Sequence, residues 1–159
     1  MIARRCDGAT SVEFAIIGLA FMSMLMLAVD AGWQMAIDAA LGAGARAAAR
    51  FGTTGATVAQ GISPAPTDRN TSIVDLVILN SGNLLQASRL QIAETSYANF
   101  AAIGSPGGTA GPGNSGQVVV YAFTYTQPYL TPIAAAIAGS HQVVHSVQLV
   151  VQNEPFPES

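Results

Sequence analysis

Charge is what this sequence has least of. Only 9% of its 159 residues are charged, six basic against nine acidic, for a net charge of -3. Six basic residues spread along the chain form no face that neutralises a run of phosphates, which excludes nucleic-acid binding. Cysteine is nearly absent too. Cys6 is the only one, so no intramolecular disulfide can form, and removal of residues 1–8 would leave no thiol at all. It precedes the long apolar run, whereas a lipidated cysteine would follow one. No internal repeat is visible.

The equipment of catalysis is missing as well. The serines and threonines are scattered, and no nucleophile elbow or carboxylate pair stands out. His141 and His145 share a face at i and i+4, but no third metal ligand accompanies them. The glycines at 107, 108, 111 and 113 lack the lysine and hydroxyl residue of a phosphate loop. Asn70-Thr71-Ser72 matches a glycosylation triplet, a pattern that chance produces often. The expectation is a non-enzyme with no catalytic residue, no cofactor and no metal.

What is present is hydrophobic length. Half of the residues are hydrophobic and the mean hydropathy is positive. From Phe14 to Val29 there is no charge, which is about 24 Å of helix at 1.5 Å per residue. That is slightly short for a membrane span, and extending it takes in Glu13 and Asp30. Arg4 and Arg5 lie upstream, while Asp30 and Asp38 come before the next basic residue, Arg46. The positive-inside rule then predicts a cytoplasmic N-terminus with everything after Val29 outside. An ionisable residue such as Glu13 within a span is expensive, so its partner has to be identified.

Beyond Val29 the stretch AVDAGWQMAIDAALGAGARAAARFG is alanine-rich and free of proline, and predicts that one helix continues to about Gly52. Ala31, Ala39, Gly42 and Ala49 would admit other helices closely, and Arg46 and Arg50 suit the C-terminal end of the helix dipole. Residues 53–66 have the turn chemistry of a linker. A second helix is predicted from Thr67 or Asp68 to a stop at Gly82, with Ile73, Leu76, Val77 and Leu84 on its apolar face. Residues 88–101, 117–127 and 141–152 read as three strands. The glycine-rich loop 104–116 joins the first two strands, and PYLTPIAAAIAGS forms a short helix or crossover between the last two. Tyr121, Phe123 and Tyr125 alternate along the second strand. They read as core packing against the second helix, or as a contact surface for other subunits.

The segment from Gly8 adds a motif. A short leader with Arg4 and Arg5, then Gly8, then Ala9-Thr10-Ser11-Val12-Glu13-Phe14 and the apolar run resemble the class III signal of type IV pilin-like proteins. More closely, GATSVEFAIIGLAF, GARAAARFG, the strand-rich C-terminal part and QNEPF resemble the TadE-like minor pilins, or pseudopilins, of the tight-adherence (Flp) pilus system. Gln152 stands where that family often carries arginine. The major Flp pilin is little more than the helix, so the additional head favours a minor subunit.

The resemblance implies a pilin-like α+β protein. It comprises a leader over residues 1–8, a long helix over 9–52 with its first half in the membrane, a linker over 53–66, and a periplasmic α/β head over 67–159. The head would hold a second helix and about three antiparallel strands. The resemblance also implies cleavage between Gly8 and Ala9 by a prepilin peptidase, with Arg4, Arg5 and Phe14 as recognition context. Cleavage would free an amine on Ala9, with an ordinary pKa of about 7.7 to 8, to pair with Glu13 of a neighbouring subunit in an assembly salt bridge, or with Glu13 of the same chain. The implied partners are the peptidase, other pilin and pseudopilin subunits, and the inner-membrane assembly platform. The implied location is the bacterial inner membrane as a single-pass protein, or an extracellular pilus used in surface attachment. The alternatives are an uncleaved single-pass protein whose periplasmic head binds a partner or ligand, and an ordinary secreted protein cut after the apolar run.

Overall fold

The computed structural model describes residues 7–156, with side chains placed from Thr10 onward. Arg4, Arg5 and Cys6 lie outside the described residues. Helix α1 runs over Asp7–Thr53, 47 residues without a proline, or about 70 Å at 1.5 Å per residue. It is followed by α2 (Arg69–Asn80), β1 (Leu90–Tyr97), β2 (Thr109–Ala110), β3 (Val118–Pro128), α3 (Pro132–Ala138) and β4 (Gln142–Gln152). The fold is α+β: a long apolar N-terminal helix, then a small head with a second helix and four antiparallel strands.

Two compact units share the chain. One comprises the N-terminal part of α1 as far as Met35 together with Pro128–Val143, and the other comprises Ala36–Gln127 together with the residues from Val144 onward.

In the first unit, large apolar side chains of α1 stand in the open: Phe14 is 77% exposed, Leu19 72% and Met24 73%. A free helix in water would not keep such a surface. It is the surface of a helix long and apolar enough to cross a membrane. The hydroxyl of Ser23 donates to the Leu19 carbonyl at 2.8 Å, so the side chain's donor is satisfied inside the helix. The chain between β3 and β4, left open as helix or crossover by the sequence, contains α3. Thr131 caps its start by accepting from the Ala134 N–H, Pro132 occupies its first turn, and Gly139 ends it with a left-handed backbone at φ 65°.

In the second unit the same helix has a packed face. Ile37, Ala40, Leu41, Ala45, Ala48 and Ala49 are buried at the three- and four-residue spacing of one helix side. Of the four small residues expected to admit other helices, only Ala49 belongs to this face; Ala31 and Ala39 are exposed and Gly42 is half-buried. The closest approaches come at two other glycines. A Cβ on Gly44 would run into the backbone of Val77 on α2, and one on Gly52 would run into the Tyr121 hydroxyl on β3. Any larger residue at either position would push apart elements that pack in contact.

Helix α2 begins where a capping aspartate was expected. Asp68 accepts from the Thr71 N–H at 2.8 Å, and Ile73 and Val77 are buried. The helix ends at Asn80, ahead of the left-handed pair Gly82 and Asn83, so Leu84 falls outside it and is exposed rather than on its apolar face.

The strand order is β2-β1-β3-β4. The sequence suggested about three strands; the fourth, β2, is two residues long and lies inside the glycine-rich loop. The loop folds back so that Ala110 and Thr109 pair with Thr95 and Ser96 of β1, and the Ser96 hydroxyl donates to the Thr109 carbonyl at 3.0 Å. A two-residue strand is too short to leave a periodic signal. Between β1 and β3 the antiparallel register sets Leu90 opposite Tyr125, Ile92 opposite Phe123 and Glu94 opposite Tyr121. All six side chains therefore share one face of the sheet. Tyr121 and Phe123 stack with ring centroids 6.0 Å apart.

Burial chooses between the two readings of the aromatic stripe. Tyr121, Phe123 and Tyr125 are at most 1% exposed, so they form the core of the head and offer no surface to another subunit. Their period-2 spacing fits either role, and only burial separates the two.

Candidate functional site

Of the residues singled out from the sequence, Gly8, Ala9, Glu13 and Phe14 lie at the start of α1. Gly8 and Ala9 lie within the helix, whose first described residue is Asp7. Glu13 and Phe14 are both exposed, among Val12, Ile16 and Ile17, which are exposed as well. The sequence fragment thus folds as a helix that surrounds one carboxylate with apolar surface. Among the described residues, His145 Nδ1 lies 3.4 Å from Asp38 Oδ1, and Glu13 has no comparable contact with a basic side chain. A carboxylate in this setting costs free energy in lipid until a counter-charge or hydrogen-bond donor reaches it.

At the other end of the apolar run, Asp30 is handled differently. Its side chain is buried at 2% exposure. One carboxylate oxygen, Oδ2, accepts from the Thr131 N–H at 2.9 Å and from the Thr131 hydroxyl at 3.1 Å; the other, Oδ1, accepts from Gln34 Nε2 at 3.3 Å. Gln34 Nε2 also reaches the Pro128 carbonyl at 3.5 Å. The carboxylate therefore holds the start of α3 against the turn of α1 that follows the apolar run. Charged acceptors make the stronger kind of hydrogen bond, and this one takes several donors at once. The sequence showed Asp30 only as a topological charge. Gln34 at i+4 was a legible neighbour, but Thr131, 101 positions away, was not.

The C-terminal end of α1 is closed by residues remote in sequence. Arg69 Nη2 donates to the Gly52 carbonyl, and the Glu154 N–H donates to the Thr53 carbonyl at 2.9 Å. A cation and an amide donor thus meet helix carbonyls that would otherwise lack partners. The Tyr121 hydroxyl is buried beside the Arg69 guanidinium without a well-formed hydrogen bond. Burial pushes the Glu94 carboxyl above its ordinary value, with Arg69 opposing. Burial likewise raises the Tyr121 phenol, the negative charge of Glu94 adds to the effect, and Arg69 again opposes it.

The terminal QNEPF segment is a staple. Asn153 Nδ2 donates to the carbonyls of Pro112 and Asn114 at 2.9 and 3.0 Å, and its backbone N–H donates to the Gln117 carbonyl at 2.8 Å. Gln152 Nε2 reaches the Gly116 carbonyl at 3.1 Å, and the Phe156 N–H reaches the Ser115 hydroxyl at 3.2 Å. The Phe156 ring covers Gly55 just past the end of α1. One short segment therefore fixes the glycine-rich loop and the exit from the long helix. Its residues looked like a family ending in the sequence, and nothing there pointed to the loop they hold.

His141 and His145 do not share a role. His141 is exposed, while His145 is buried against Asp38 on α1. Among the described residues, no group of three or more His, Cys, Asp or Glu side chains is placed to hold a metal ion.

These features define a class: an α+β head carried on a single long N-terminal helix whose first half has the length and composition of a membrane anchor. Residues 8–50 match the family model described as TadE-like protein, consistent with a TadE-like protein of the tight-adherence pilus system. No curated protein and no solved structure matches the chain.

Proposed function

We propose that this chain is a minor pilin or pseudopilin of a tight-adherence pilus. A prepilin peptidase cuts it between Gly8 and Ala9, and the new N-terminal helix then packs with those of other subunits on the inner-membrane assembly platform. Its work is assembly for surface attachment, not catalysis. The observation that carries this reading is Glu13, an exposed carboxylate on an exposed apolar helix face, five residues after Gly8 and within the TadE-like segment. Such a group favours assembly, because a neighbouring helix that brings an amine supplies the counter-charge that lipid does not.

The test is the mass and N-terminal sequence of the protein isolated from its native membrane, with and without the peptidase. A start at Ala9 that depends on the peptidase supports the proposal. A start at Met1 leaves no new amine and favours an uncleaved single-pass protein whose head binds a partner. A start beyond the apolar run makes the protein an ordinary secreted one.

A further inference from the structure

We infer that α3 is a second membrane contact, an interfacial helix seated in the outer boundary of the bilayer beside the end of the span. The inference rests on the reading of α1 as a membrane anchor and adds a surface that this reading does not require.

The first observation is a length. The uncharged run Phe14–Val29 has sixteen residues, about 24 Å of helix, whereas a hydrocarbon core is about 30 Å thick. A core that begins at Phe14 therefore reaches about one helical turn past Val29, to the turn that carries Asp30 and Trp33. An open carboxylate there would be costly, but that of Asp30 is buried under the N–H and hydroxyl of Thr131 and the amide of Gln34. The same bonds that make Asp30 tolerable at this depth bring the start of α3 to it.

The second observation is the surface that arrives with the clamp. From Pro128 to Ser140 there is no charged residue. Ile137 is 71% exposed and Leu130 50%, which is unfavourable against water and favourable in an interface. Between α1 and α3 lies an open niche of about 260 Å³, lined by Leu27, Ala31, Ala134, Ile137 and Ala138, with Asp30 and Tyr129 at its polar side. This surface continues the exposed apolar side of α1, where Val29 and Met26 are also exposed. Trp33 and Tyr129 are both half-buried in this unit and are the amphipathic aromatics that concentrate at a membrane boundary. Lipid is thus the occupant that already covers the adjoining helix surface, and α3 extends that contact sideways.

The test places a single tryptophan at Ile137 in the full chain, Ile137→Trp in a Trp33→Phe background, reconstituted in phosphatidylcholine–phosphatidylglycerol vesicles. Leu19→Trp in the same background reports on the span. Lipids brominated close to the headgroup should quench most of the Ile137→Trp emission and those brominated near the bilayer centre little of it, while acrylamide in the water should quench it weakly. The reverse depth preference is expected for Leu19→Trp. An Ile137→Trp signal open to acrylamide and untouched by brominated lipid, with Leu19→Trp still quenched, overturns the inference and leaves the anchor intact. Loss of lipid quenching at both positions overturns the anchor and α3 contact together. Protection from acrylamide without lipid quenching, growing with protein-to-lipid ratio, assigns the surface to a second copy of the chain and also overturns the inference.

Discussion

The carboxylate of Asp30 accepts hydrogen bonds from both the backbone N–H and the hydroxyl of Thr131, at 2.9 and 3.1 Å, across 101 positions of sequence. Thr131 is meanwhile the residue that caps α3. One side chain on the long helix thereby holds the start of another element in register with it.

Asp30→Ala removes the acceptor from two donors of Thr131 at once. The Thr131 amide and the first turn of α3 are expected to lose most of their protection from hydrogen exchange. The β1–β3 ladder, which shares none of these bonds, should keep its own. Hydrogen-exchange mass spectrometry of the full chain in detergent micelles checks both halves, and unchanged protection at Thr131 would refute the clamp.

Glu13→Ala should leave cleavage after Gly8 intact and reduce incorporation into the pilus machinery. In the proposed processing, cleavage would depend on the leader and its glycine, whereas assembly would need the counter-charge. Immunoblots of processed protein beside quantification of sheared pilus fractions separate the two steps. Incorporation of the variant at the wild-type level would sink the pairing.

Gly52→Ala sets a methyl group where the Tyr121 hydroxyl lies, and Tyr121 is fully buried. A destabilisation of about 1–3 kcal/mol is expected from overpacking. Tyr121→Phe removes a hydroxyl that lacks a well-formed hydrogen bond, so alone it should be close to neutral. Combined with Gly52→Ala it should recover part of the loss. Urea midpoints of the two single variants and the double variant form the cycle, and strict additivity would show that the two positions do not meet.

Asn153→Ala removes the side-chain amide, itself buried, that donates to the carbonyls of both Pro112 and Asn114. A cost of about 1–3 kcal/mol is expected, seen as a lower urea midpoint with an unchanged slope. Limited proteolysis should then cut first within residues 104–116. Equal resistance of that loop in both proteins would mean that Asn153 is not what holds it.

Stability should respond to pH in two separate windows. Burial raises the Glu94 pKa in the folded state above the ordinary 4.5. Its contribution is complete below that value and is lost as pH rises through the folded one. Asp68 is the opposite case: the Thr71 N–H holds its pKa below 3.8, so its contribution is present above 3.8 and is lost as pH falls through the folded value. Glu94→Gln should flatten the upper window and leave the lower one unchanged. Urea midpoints measured across both windows test this, and identical upper slopes would show that Glu94 is not the group responsible.

The sequence by itself determined the elements that rest on local chemistry. A proline-free, alanine-rich run is enough for a long helix, Asp68 is enough to start α2, and β-branched alternation is enough for the three longer strands. The long apolar stretch and Glu13 within it were equally legible, because composition alone carries that signal. Tertiary structure decided what depends on partners distant in the chain. It turned Tyr121, Phe123 and Tyr125 into core, since period-2 spacing is the same for a buried face and an exposed one. It placed the packed helix face on Gly44, Ala45, Ala48, Ala49 and Gly52, where close backbone approach and not composition selects the residue. It also gave Asp30 and Asn153 their roles, because hydrogen bonds to Thr131 and to the glycine-rich loop exist only after the chain has closed on itself.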